Sequence, residues 1–230
     1  TISRRAFSFN RGTLRDILGV GLPASVEFFL MSILAIFINA LLVSVAGTDA
    51  VAVYTAGWRV IFFAIIPLVA IGTSVISVAG AAYGARQYAK IRTTHTFAVL
   101  FGIAISLATS AITFIFATQI ASVFSYSADS AHLMPAIAAF LATMCFFYPF
   151  VPPGIMSGSI FQATGKGMTS LVITVLRNLV FIAVFAYAFG IALGFGEHGI
   201  WWGIVAGDVL GGTVAFIWAR AYIARLIANP

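Results

Sequence analysis

Charged residues make up only 8% of this 230-residue chain, roughly a third of the share in a water-soluble domain. Hydrophobic residues make up 62%, and the mean hydropathy is +1.09. Such a chain cannot cover a water-facing surface, which excludes a soluble globular domain and makes the lipid bilayer its solvent. Cysteine is nearly absent. Cys145 is the only one, so no internal disulfide forms, and its place in an apolar run reads as that of a buried core thiol. Catalytic signatures are lacking: Gly-x-Ser-x-Gly, His-Glu-x-x-His and Walker sequences do not occur. Met156-Ser-Gly-Ser-Ile160 is not a nucleophile elbow, because no strand precedes it. The chain therefore does not read as an enzyme, and neither a metal nor an organic cofactor is expected. His95, His132 and His198 sit at the ends of apolar stretches without ligand spacing, as interface anchors do and metal ligands do not.

What the chain has in abundance is apolar length. Six stretches, at about 21–46, 50–80, 94–118, 132–158, 169–194 and 199–222, each approach or exceed the ~20 residues a spanning helix needs. None alternates apolar and polar residues as a barrel strand would. The expected fold class is an all-α membrane protein, a six-transmembrane-helix bundle. Residues 1–20 read as a cytoplasmic linker whose Leu14, Ile17 and Leu18 give a short amphipathic helix in the interface. Residues 21–225 form the six-helix unit, and residues 226–230 a cytoplasmic tail.

The few charges are informative by position. The pI of 9.9 invites a nucleic-acid reading, but no exposed cations interleaved with aromatics are found. Of the 12 Lys and Arg residues, all but Arg59 and Arg177 fall on one side of a six-crossing chain. The opposite loops carry only Asp49, Asp129 and Glu197. This asymmetry predicts a multi-pass plasma-membrane protein with both termini of the chain cytoplasmic.

Four ionisable residues lie deep inside apolar stretches: Glu27, Arg59, Arg177 and Asp208. Charge at membrane depth is costly and tends to face a protein interior or a water-filled cavity. One reading is a polar cavity in which Glu27 or Asp208 carries a proton or holds Na⁺ beside an arginine. The other is two satisfied ion pairs between helices, as the two-to-two balance allows. Asn39 shares roughly the face of Glu27 and could line the same cavity or bridge helices.

Proline and glycine mark irregular places. Pro67 is expected to kink the second stretch. Pro149, Pro152, Pro153 and Gly154 interrupt the fourth, as a hinge or cavity wall or as a packing kink. Gly199, Gly203, Gly207 and Gly211 repeat every four residues, a smooth ridge for close helix packing. Trp201 and Trp202 sit at an outer edge, as aromatic-belt residues do.

Several motifs, taken in order, resemble one family. Val20-Gly-Leu-Pro-Ala-Ser-Val-Glu27 resembles the opening of a lobe in the multidrug and toxic compound extrusion (MATE) transporters. Val51-Ala-Val-Tyr-Thr-Ala-Gly-Trp-Arg59, followed by Ile66-Pro67, resembles the next helix of the C-terminal lobe, and Ala79-Gly-Ala-Ala-Tyr-Gly-Ala-Arg86 the loop after it. Ser159-Ile-Phe-Gln-Ala-Thr-Gly-Lys166 and Leu176-Arg-Asn178 are similar to a later inner loop and helix. The resemblance spans roughly residues 18–225.

It implies a twelve-helix transporter of two six-helix lobes that rock about a central cavity, with this chain as the C-terminal lobe and an N-terminal lobe as its partner. The implied activity is export of organic, often cationic, compounds in exchange for H⁺ or Na⁺. On this implication Glu27 and Asp208 are the cation-coupling candidates, Arg59 and Arg177 their charge partners, Asn39 a cavity-lining residue, and Pro67 with Pro149–Gly154 the flexing elements. Branches that couple through this lobe also use an acid in its fourth helix, and 132–158 here contains none. Two other readings are a lipid-linked oligosaccharide flippase of the same superfamily, with Arg59 and Arg177 binding a pyrophosphate, and a non-transporting half-transporter or scaffold.

Overall fold

The computed structural model describes residues 11–127 and 130–228. Arg4, Arg5 and Asp129, and with them part of the linker and of the tail, lie outside the described residues. Within them the chain is helical and contains no strand. The helices are α1 (Arg11–Gly84), α2 (Tyr88–Ile115), α3 (Ala117–Phe124), α4 (Met134–Met144), α5 (Val151–Ala163), α6 (Gly167–Thr174), α7 (Ala183–Tyr187) and α8 (Gly196–Ala228). Two π-helical segments, Val175–Ile182 and Ala188–Ala192, join α6 to α7 and extend α7.

Five stretches are long and apolar enough to cross a membrane. The first of them is double. Gly47 leaves helical geometry at φ 77°, a conformation that costs glycine nothing. It divides α1 into two arms, residues 11–46 and 48–84, so the expected six crossings are present. The arms run antiparallel. Asn39 and Thr55, eight residues on either side of Gly47, line one cleft. At the far ends, Gly19 and Val20 meet Gly167 while Gly80 meets Ala163, and Gly167 and Ala163 flank a single tight turn. The sequence predicts a separate interfacial helix at residues 13–20. They are instead the opening turns of the first arm, with no break before Pro23. Helix α8 likewise runs on to Ala228, into the expected tail.

The turns sort by charge. At one end Asp49 pairs with His132 at 3.1 Å and Gly196 lies against Val45. At the other, Arg220 donates to Thr96 Oγ1 at 2.7 Å, near the turns that carry Arg86, Lys90, Arg92 and Lys166. Phe62, Phe63, Phe97, Ile115 and many other large apolar side chains are exposed. In water this would drive aggregation; against acyl chains it costs little.

Two sequence expectations about helix ends do not hold. Trp201 is fully buried, edge-on to Phe140 and His198, and only Trp202 lies at the surface. His95 is fully buried, with Nε2 3.2 Å from Ser157 Oγ and its ring stacked on Phe216. Nearness to a helix end fixes depth in the membrane but not lateral position in the bundle.

The fourth crossing is broken where proline predicts. Residues 145–150 leave α-helical geometry and pass through a 3₁₀ turn at Tyr148–Phe150. Pro149 has no N–H to give Cys145, four residues back, and the Ser110 hydroxyl from α2 donates to that carbonyl instead. Pro152 and Pro153 sit in the first turn of α5, where their missing N–H groups would be unpaired anyway. They start a helix rather than interrupt one. Pro67 lies within the second arm, and the only non-helical residue of α1 is Gly47, so the helix is not broken at Pro67.

The glycine ridge of α8 packs as its spacing predicts. A Cβ at Gly203 would lie 2.5 Å from Ala186 Cα, and one at Gly207 2.5 Å from Ile182 Cα. Real side chains do not approach that closely, so α8 lies with its backbone against the π-helical crossing. That contact positions the charges.

Candidate functional site

Arg177 and Asn178 project from the π-helical segment Val175–Ile182. A π turn rotates successive side chains relative to an α-helix and is common at functional sites. Two glycines make room for Arg177. A Cβ at Gly211 would stand 2.8 Å from Arg177 Cα, and one at Gly154 would stand 2.8 Å from its Cζ and overlap Nη1. Gly154, read from the sequence as part of a hinge, is thus the slot for a guanidinium.

Asp208 is one helical turn from Gly211 and is 1% exposed. Its Oδ1 lies 3.5 Å from Arg177 Nε, and neither carboxylate oxygen accepts a hydrogen bond. Arg177 Nε donates to Asn178 Oδ1 at 3.2 Å. The pair is held by charge and packing, in a setting where losing one partner would strand the other.

Glu27, on the first arm of α1, lies within reach of the charge of the same arginine. Ser170 and Thr174 of α6 and Gln162 of α5 present their polar side chains to it, and the charge of Arg177 acts on it. Glu27 Oε1 is buried without a hydrogen-bond partner. Gln162 Nε2 donates to Ser170 Oγ at 3.2 Å, which ties α5 to α6 beside the carboxylate. Oxygen-rich surroundings of this kind, with one carboxylate, suit a proton or a hard monovalent cation.

The two-to-two balance therefore does not become two ion pairs. Glu27, Arg177 and Asp208 converge as two acids about one base. Arg59 stands apart, exposed, with no ion-pair or hydrogen-bond partner among the described residues. Asn39 is with Arg59 rather than with Glu27. Both line a cleft between the arms of α1, together with Tyr54, Trp58, Phe62 and Phe63. The sequence reading missed Gln162, Ser170, Thr174 and Asn178. A signal was available, because Ser170, Thr174 and Arg177 recur at four- and three-residue steps and mark one polar face of an otherwise apolar helix.

The MatE family model matches residues 23–188. An outward-facing multidrug resistance MATE family transporter of the MOP superfamily is 37% identical, with a TM-score of 0.95 over 99% of this chain and 50% of that one. A MATE protein in complex with MaL6 is 36% identical, with a TM-score of 0.96 over 99% of this chain and 51% of that one. A MOP superfamily transporter from Pyrococcus furiosus, described as having a binding pocket of reversed polarity that suggests a different function, is 37% identical, with a TM-score of 0.94 over 98% of this chain and 50% of that one. The chain spans about half the length of these solved transporters. No curated protein is similar enough in sequence to count as a match. Six helical crossings, buried charges at their interfaces and a family match over most of the length agree: this chain is a multi-pass membrane protein of the MatE family, with the fold of one transporter lobe.

Proposed function

We propose that the chain works as the C-terminal lobe of a secondary active transporter, which exports organic compounds in exchange for H⁺ or Na⁺ as two six-helix lobes rock about a central cavity. One observation carries the coupling role: Glu27 sits among Gln162, Ser170 and Thr174 and shares Arg177 with the sealed Asp208. When Glu27 is ionised, Arg177 serves two acids. When a proton or Na⁺ neutralises Glu27, the pull of Arg177 falls on Asp208 alone. Because Arg177 lies in the Gly154 slot and against Gly211, a change in its balance is felt where α5, α8 and the π-helical crossing meet. Gly212 lies against the Phe150 carbonyl at the broken segment, so residues 145–150 are a nearby place to yield. Arg59 takes no part, since it neighbours neither acid.

The flippase reading loses support from this arrangement, because a pyrophosphate site would use Arg177, and Arg177 is occupied by Asp208. The membrane orientation proposed is the one the basic end suggests, with Arg86, Lys90, Arg92 and Lys166 cytoplasmic in the plasma membrane.

The intact protein in proteoliposomes tests the reading. An imposed pH or Na⁺ gradient is expected to drive counter-movement of an organic substrate, and collapse of both gradients to stop it. Substrate movement that ignores both gradients would overturn the antiporter assignment.

A further inference from the structure

We infer that the cleft between the arms of α1 is a binding site for the anionic group of an aromatic or amphiphilic substrate, with Arg59 as the anchoring cation. The inference rests on the transporter reading and names a substrate class for it.

Four observations carry it. Arg59 lies about 18 Å along its helix from the turn at Gly47, at ~1.5 Å per residue, which is membrane depth. A charge there is costly unless paired or hydrated, and no described residue pairs with it. The side chain is exposed into a cleft of about 360 Å³ rather than sealed in packing. That is the size of a small-molecule site, and the mixture of many apolar walls with few polar groups is the usual one. The walls are aromatic. Trp58 stacks on Tyr54 at 5.6 Å and leans on Phe147 at 6.1 Å, which fixes the ring plane beside the guanidinium. Opposite, Asn39 Oδ1 is buried and accepts no hydrogen bond, an unsatisfied polar atom in the cleft wall.

Together these describe a ligand with a planar apolar body and a carboxylate, sulfonate or phosphate. Arginine suits the anion because its fork of N–H groups meets two oxygens at once.

Equilibrium dialysis of the purified intact protein against 2-naphthoate and against 2-naphthylmethylammonium, a body of similar size with the opposite charge, tests this. Wild type is expected to prefer the anion. R59Q should weaken naphthoate binding at least tenfold and leave or improve ammonium binding, while R59K retains part of the anion preference. Arg59 is exposed, so these variants fold; unfolding midpoints verify it.

Equal naphthoate binding by wild type and R59Q would overturn the site. So would the absence of naphthoate binding by wild type, which would assign Arg59 to an acid of the partner lobe. Gradient-driven transport is scored separately. Anion binding at Arg59 without transport would overturn the transporter reading and leave the site standing.

Discussion

Arg177 and Arg59 both lie well inside their crossings, and their surroundings differ in nearly every respect. Arg177 is 11% exposed, pressed between Gly154 and Gly211, and faces a carboxylate that is 1% exposed. Arg59 is exposed, stands beside an aromatic pair, and has no acid near it. The first is a seam, where glycines let three backbones close around a charge pair. The second is an open cleft, where a charge waits for something outside the lobe. Buried charge in a membrane protein therefore has two meanings, and burial together with the number of partners separates them.

The largest effect expected from breaking the contrast is at the seam. Asp208→Leu strands Arg177 and should cost about 3–5 kcal/mol, the usual penalty for removing one member of a buried pair. Denaturant unfolding of the purified protein in detergent measures it, and adding Arg177→Met to Asp208→Leu should recover most of the loss. If the double variant is no better than the single one, the two residues are not coupled. Gly154→Val comes next. Its side chain fills the guanidinium slot and should destabilise by about 1–3 kcal/mol through overpacking, read from the same unfolding curves. The smallest loss is at the cleft: Arg59→Met strands no partner within the lobe and should destabilise it by no more than about 0.5 kcal/mol. A loss there as large as that of Asp208→Leu would mean the contrast between the two arginines is false.

Much of this architecture is legible in the sequence. The six crossings follow from apolar length, and the close approach of α8 from four glycines at helical spacing. The break near Pro149 follows from a missing N–H. The charge pairing is not legible, because it depends on the rotation of each helix about its axis, and the π turns at Val175–Ile182 reset that rotation for Arg177. For the same reason Asn39 looks aligned with Glu27 along one helix, yet belongs with Arg59 across the Gly47 turn. His95 and Trp201 mislead in another way. Both are near helix ends, but each lies on the face of its helix that turns into the bundle, so it is walled by protein. In the sequence Gly154 stands beside Pro152 and Pro153 and shares their reading as a hinge. Its use becomes visible only when Arg177 is seen in the space its absent side chain leaves.

On the proposed function, Glu27 exchanges the coupling ion while the Arg177–Asp208 pair holds the seam. The most direct test is gradient-driven substrate exchange by Glu27→Gln in proteoliposomes, beside wild type and with unfolding midpoints matched. The expected result is exchange at least tenfold slower, with the dependence on pH or Na⁺ lost and substrate binding retained. Exchange at the wild-type rate, with the wild-type dependence on the gradient, would contradict the account.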